Sequence, residues 1–226
     1  MKVERIRHFA ALFETYLNSP RAEVSLHLPD VVSNWQAHFD TDPLSLLESY
    51  DKSLKSRFSN ALWEGSYHSA KSVMKLLIEK DKYFMSDSFR DLMDESKVPL
   101  MRIRRFGEHC DEVFQSIAPE SKKLNTHYHE NKKTVIIYLA CQYPDKYCFW
   151  DYDNFSKMMR QCGALQIPAE VETERYFKSM RAIFGIVQKE SHATQSWKSL
   201  LEKNKISLEP CLIFMNHFAE FTASQD

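Results

Sequence analysis

Only four glycines occur in 226 residues, far below the roughly 7% of an average protein, and this scarcity constrains both fold and chemistry. Neither G-x-x-x-x-G-K-[ST] nor G-x-G-x-x-G is present, so nucleotide cradling of the P-loop or Rossmann kind is absent from the sequence. Apolar residues recur at i, i+3 and i+4 far more often than they alternate, which is the helical period. The expected fold is therefore all-α, a multi-helix globular bundle. Its 43% hydrophobic and 27% charged residues are enough for a packed core without wholesale disorder.

The first stretch shows the pattern. Val3, Ile6, Phe9, Ala10, Phe13 and Leu17 share one face, and Asn18-Ser19-Pro20 stops the helix. Asp42-Pro43 reads as an N-cap and first-turn proline opening a helix through Leu44, Leu47 and Tyr50. A further helix is expected from Leu54 to Trp63, ended by Gly65. Ser66 or Ser69 then starts one with Val73, Leu76 and Leu77, closing at Glu79-Lys80-Asp81-Lys82. A short helix over Phe89 to Met93 leads through Pro99 into a long one carrying Leu100, Ile103, Phe106, Cys110, Val113, Phe114 and Ile117. A single helical domain over 1–226 is expected; residues 119–133 are the most polar stretch and, if the domain subdivides, the place where halves 1–118 and 134–226 join. Thr134 to Cys141 fits a buried strand or a buried helix, and helix is favoured. Phe155, Met158 and Met159 continue to a C-cap at Gly163. A long helix from Pro168 carries Val171, Tyr176, Met180, Ile183, Phe184 and Val187, and segments around Trp197 to Leu201 and Leu212 to Phe221 follow. The expected core is Phe9, Phe13, Leu76, Ile103, Phe106, Val135, Ile137, Phe155, Phe184 and Phe214.

Charge and cysteine content narrow the functional classes. Thirty basic against thirty-one acidic residues give a net charge of −1, without the basic excess usual where affinity rests on neutralising phosphates. No apolar run suffices for a membrane span, and the charged start Met1-Lys2-Val3-Glu4-Arg5 is unlike a secretory leader, so a cytoplasmic protein beginning at Met1 is expected. Cys110, Cys141, Cys148, Cys162 and Cys211 are odd in number, sit among apolar neighbours and lack C-x-x-C spacing. They read as reduced core thiols.

No catalytic residue emerges. Glu170, Glu172 and Glu174, and the acids between Asp91 and Glu95, lie near helix ends where carboxylates face solvent, and no G-x-S-x-G elbow occurs. The expectation is a non-enzyme without cofactor. Its one metal-like group is His127-Tyr128-His129-Glu130, where His127 and His129 with a third ligand such as His109 or Cys141 offer the alternative of a small metal-dependent enzyme. For nucleic acid, Arg102, Arg104 and Arg105 form the only arginine cluster, and Lys122, Lys123, Lys132 and Lys133 add a basic loop. Glu108, Asp111, Glu112, Glu120 and Glu130 interleave with them, as on an ordinary salt-bridged helix surface.

The run from Tyr143 to Phe155 is the least ordinary piece. Proline, clustered aromatics and Asp151 or Asp153 as a cap describe a packed junction; exposed rings would instead make a stacking platform for bases. The stretch from Thr134 to Met159, an apolar helix followed by Tyr-Pro-x-Lys-Tyr, an aromatic corner and a Phe-containing helix, resembles the helical N-terminal regions of McrB-type AAA+ restriction ATPases. Ser69-Ala-Lys-Ser-Val-Met and Met101-Arg-Ile-Arg-Arg-Phe agree with that resemblance, which spans residues 40–190. The family's ATPase motor is missing from the sequence, so nucleotide hydrolysis is not implied. What the resemblance implies is a helical adaptor or specificity module linked to bacterial defence, with a protein partner such as an AAA+ ATPase or nuclease, and with DNA as a further partner; the remaining alternative is a helical domain unrelated to restriction systems.

Overall fold

The computed structural model describes residues 1–20, 22, 24–63, 69–117 and 124–225, and among these the chain is helical with no strand. Eleven α-helices follow one another: α1 (Val3–Leu17), α2 (His27–His38), α3 (Leu46–Ser53), α4 (Ala70–Lys80), α5 (Lys82–Met93), α6 (Pro99–Ile117), α7 (Lys132–Gln142), α8 (Tyr152–Gln161), α9 (Thr173–Glu190), α10 (Ala193–Lys203) and α11 (Phe214–Ala223). No described helix is long and apolar enough to cross a membrane. Two compact units form, and their division does not coincide with residues 119–133. One comprises Met1–Pro29 with Tyr143–Asp226, the other Asp30–Gln142.

In the first unit, α1 buries Ile6, Phe9, Ala10, Phe13 and Leu17 as its period predicts. The Phe13 ring meets Phe214 and Phe218 edge-on at 5.5 and 5.7 Å. Behind them Trp197 Nε1 donates to His217 Nδ1 (2.8 Å), which leaves His217 Nε2 to donate to the Ser25 carbonyl (3.1 Å). Both ring nitrogens are spent and the ring is buried, so desolvation holds the imidazole down at about 4. Above pH 6.5 the ring is neutral in folded and unfolded chains alike and the shift has no effect. As pH falls below that, the unfolded chain takes a proton that the folded protein refuses, and stability drops until about pH 4. The share of this one residue is roughly 3 kcal/mol. His217→Asn keeps an acceptor for the indole without titrating, so urea unfolding between pH 7 and 4 should fall less steeply in that variant. An equal slope in both proteins would show that His217 takes up its proton freely in the folded state.

In the second unit α7 resolves the ambiguous apolar run as helix. Val135, Ile136, Tyr138, Leu139, Ala140 and Cys141 are all buried, so the helix is covered almost all round and carries no amphipathic period. The Tyr138 ring lies 5.7 Å from Trp35, 5.5 Å from Phe89 and 5.9 Å from Phe106, at the centre of an aromatic core. Helix starts are set by local polar groups. Ser69 and Ser72 exchange side-chain and backbone hydrogen bonds across the first turn of α4, and Asp81 accepts from Phe84 N (3.0 Å) to open α5.

Several expectations are corrected. The segment read as a helix from Leu54 becomes a turn followed by a 3-10 helix, Ser59–Trp63, and Gly65 lies outside the described residues. Asp42 accepts from Leu44 N (3.0 Å) but caps a turn, so that α3 begins only at Leu46. The helix expected over Phe89 to Met93 starts seven residues earlier, at Lys82. Leu76 is exposed and Ile137 and Phe184 only half-buried; their neighbours Leu77, Ile136 and Ile183 take the core positions. One residue along a helix turns the side chain by about 100°, enough to exchange core for solvent. Leu100 is likewise 48% exposed, and Val171 precedes α9 at 79% exposed.

Candidate functional site

The arginine cluster expected to meet phosphates is spent largely on the fold. Arg102 is completely buried. Its Nη1 donates to the Leu92 carbonyl at 2.6 Å and its Nη2 to Glu95 at 2.6 Å, clamping the end of α5 to the start of α6. Arg105 donates to Asp91 at 3.0 Å, and Lys97 pairs with the same carboxylate at 2.6 Å. Only Arg104 projects into solvent, its side chain 81% exposed and paired with Glu108 one turn on. Lys133 is exposed at the start of α7 and Lys132 half-buried; Lys122 and Lys123 lie outside the described residues. A guanidinium that is wholly buried and held by a carbonyl and a carboxylate cannot reach a phosphate in solvent, which removes Arg102 from any such surface.

His127 and His129 are both buried, at 2% and 1% exposure, and the structure brings them against α6. Tyr128 between them takes a left-handed backbone conformation (φ 67°), which folds the loop back on itself and leaves the two rings parallel, 10° apart in plane with centroids 5.8 Å apart. The loop reaches the helix at Gly107, where a Cβ would stand only 3.0 Å from the His129 carbonyl oxygen. Only glycine permits so close an approach without displacement.

The hydrogen bonds of this loop have one consistent direction. His127 Nδ1 accepts from the His129 backbone N–H (3.0 Å), so Nε2 carries the ring hydrogen and points it at Asp111 Oδ1 (2.9 Å). His129 Nδ1 can only donate to the His127 carbonyl (2.5 Å), so its Nε2 accepts from Tyr138 Oη (2.7 Å). Tyr138 Oη in turn accepts from Tyr50 Oη at 2.9 Å. Burial lowers the His129 imidazole to about 3 and raises both tyrosine hydroxyls and the Cys110 thiol. Cys110 completes a buried group in which it, His127 and His129 each offer one ligand atom within 4.8 Å of the others. Neither His109 nor Cys141, the third ligands suggested by the sequence, belongs to that group. Glu130 Oε2 stands 3.4 Å from His127 Nδ1, and Thr126 Oγ1 donates to the other oxygen of Glu130. A cavity of about 310 Å³ opens beside the loop, lined by Arg104, Glu108, Asp111, His129, Glu130 and Lys132 among others.

The aromatic corner is a packed junction. Tyr147, Phe149, Trp150 and Phe155 are buried. Tyr176 from α9 lies 4.3 Å from Trp150 and 4.6 Å from Phe155, and donates its hydroxyl to the Phe149 carbonyl at 3.1 Å. Asn216 from α11 exchanges two hydrogen bonds with Phe149, accepting from its N–H and donating to its carbonyl. Asp151 caps α8 through Asn154 N (3.1 Å). Rings covered in this way offer no face on which a base could stack.

The connection between α8 and α9 carries the two most exposed large apolar side chains among the described residues. Gly163, at φ +69°, ends α8. Leu165 beyond it is 99% exposed, and Val171 follows in the same connection. Leu165 lines a groove of about 800 Å³ together with Met159, Ala164, Pro168, Lys178 and Ala182. Sequence periodicity missed this surface because Val171 fits the apolar register of α9, and missed Cys110 because it fits the core stripe of α6. No family model, curated protein or solved structure matches the chain.

Proposed function

We propose that this chain is a non-enzymatic helical adaptor of the cytoplasm that works by holding a protein partner, in the setting of a bacterial restriction or defence system. The observation that carries the reading is Leu165, fully solvent-exposed at the edge of an 800 Å³ groove, with Val171 exposed six residues on. Large apolar side chains presented this way lose water only when another surface covers them. The likeness of residues 134–159 to the helical regions of McrB-type ATPases supports an ATPase or nuclease as that partner. Protein is favoured over DNA because Arg102 and Arg105 are engaged within the fold and the net charge is −1.

The test is co-purification of the tagged chain with an ATPase or nuclease encoded beside it. The double substitution Leu165→Asp and Val171→Asp should remove the partner while leaving the circular dichroism spectrum unchanged, since neither side chain is packed. Undiminished co-purification would place the interface elsewhere. The absence of any such neighbouring gene counts against the defence setting, and binding of duplex DNA at low salt by the parent protein would restore the nucleic-acid reading.

A further inference from the structure

We infer that Cys110, His127 and His129 form a binding site for one divalent ion of the zinc class, with Glu130 as the fourth ligand. The inference is independent of the adaptor reading and concerns the Asp30–Gln142 unit alone. The donor set points to the ion: one thiolate and two imidazoles suit zinc, and a carboxylate oxygen completes a tetrahedron. The charges also close. Cys110 releases its thiol hydrogen to solvent on binding, so thiolate and carboxylate together balance the two positive charges of the ion, which a buried site requires.

The surroundings fit ligation better than three unrelated polar side chains would. A ligating histidine commonly gives its second N–H to a carboxylate, which fixes the ring. His127 does so already, with Nε2 on Asp111 and Nδ1 facing Glu130 Oε2 at 3.4 Å. His129 has one nitrogen on Tyr138 and the other on the His127 carbonyl, so one of these contacts remains to orient the ring when the other nitrogen binds. Bond lengths of about 2.0–2.1 Å to nitrogen and 2.3 Å to sulfur would place ligand atoms roughly 3.3–3.8 Å apart. For Cys110, His127 and His129 the 4.8 Å limit therefore calls for a closure of no more than about 1–1.5 Å, achieved by exchanging the His129 N–H contact on His127 Nδ1 for the ion, while Glu130, half-exposed and outside that group, swings in from beside His127. The 310 Å³ cavity, which touches His129 and Glu130, gives the ion a way in.

Cobalt(II) is the probe, because a four-coordinate cobalt thiolate shows intense visible bands and a near-ultraviolet sulfur-to-metal transition. The full chain, stripped by a chelator, should take up one equivalent with both signatures, and zinc should displace it. Cys110→Ser should lose the sulfur transition, while Cys141→Ala, a buried thiol of the same unit outside the group, should keep it. Should Cys110→Ser fail to fold, X-ray absorption of the zinc-loaded parent decides, with one sulfur and two imidazoles expected around the ion. A parent protein that binds no cobalt, a sulfur transition surviving in folded Cys110→Ser, or a shell of oxygen alone would each overturn the site.

Discussion

Replacing Arg102 by alanine is expected to cost about 3–5 kcal/mol, the range found when one partner of a buried ion pair is removed. The side chain is wholly buried, and it donates at 2.6 Å both to the Leu92 carbonyl and to Glu95. The Leu92 carbonyl loses a charged donor, and Glu95, only 23% exposed, loses its 2.6 Å contact with the guanidinium. Arg102→Met fills the space without restoring either bond, so it should fall between alanine and the parent. Arg102→Glu sets two carboxylates against each other in the interior and should not fold. Arg104→Ala, two residues on, should change stability by less than about 0.5 kcal/mol, because its pair with Glu108 lies in solvent. Urea unfolding of the four variants checks the ranking. Equal, small losses at positions 102 and 104 would mean that the guanidinium of Arg102 is not held inside. The ranking also bears on DNA: a gel shift lost in Arg102→Glu would report unfolding, whereas Arg104→Glu alters charge on an intact fold.

The contrast between these arginines shows where the sequence is silent. Charge interleaved along α6 looks the same whether a guanidinium faces water or turns back onto α5, and the partners that decide the matter sit 7 and 10 residues upstream, across the break at Pro99. The acids at Asp91, Asp94 and Glu95 are the only hint that these cations are spent locally. Two helix starts were legible because their chemistry is contained within four residues: Ser69 with Ser72, and Asp151 with Asn154. The third member of the histidine group was not. His109 and Cys110 are adjacent, but one helical step separates their directions; His109 faces Phe84 at 5.2 Å while Cys110 faces the histidines. Nor could the loop's approach be seen without its backbone, since the left-handed Tyr128 and the contact at Gly107 bring the pair against α6. The aromatic corner was readable from composition, because four aromatic rings beside a proline rarely find enough solvent-free area except against one another.

That corner also carries the second large effect. Phe155→Ala is expected to cost about 3–5 kcal/mol, a third or more of the stability of many domains. Phe155 is 0% exposed and its ring lies 4.6 Å from Tyr176, itself the residue that fixes the Phe149 carbonyl and packs on Trp150. Truncation therefore leaves a void against side chains whose positions are set by hydrogen bonds, and such a wall collapses poorly into empty space. Phe106→Ala in the other unit should fall in the same range, because its ring is 1% exposed and lies 4.9 Å from Phe89 and 5.9 Å from Tyr138. Phe155→Leu keeps most of the volume and should cost under about 1.5 kcal/mol. Leu165→Ala, which trims an apolar side chain standing in open solvent, should leave the unfolding midpoint where it is. Thermal and urea unfolding measure all four. A Phe155→Ala loss no larger than that of Leu165→Ala would mean that the corner repacks freely around the missing ring, and the hydrogen bonds of Tyr176 and Asn216 to Phe149 would then have to be weaker restraints than their lengths of 2.9–3.1 Å indicate.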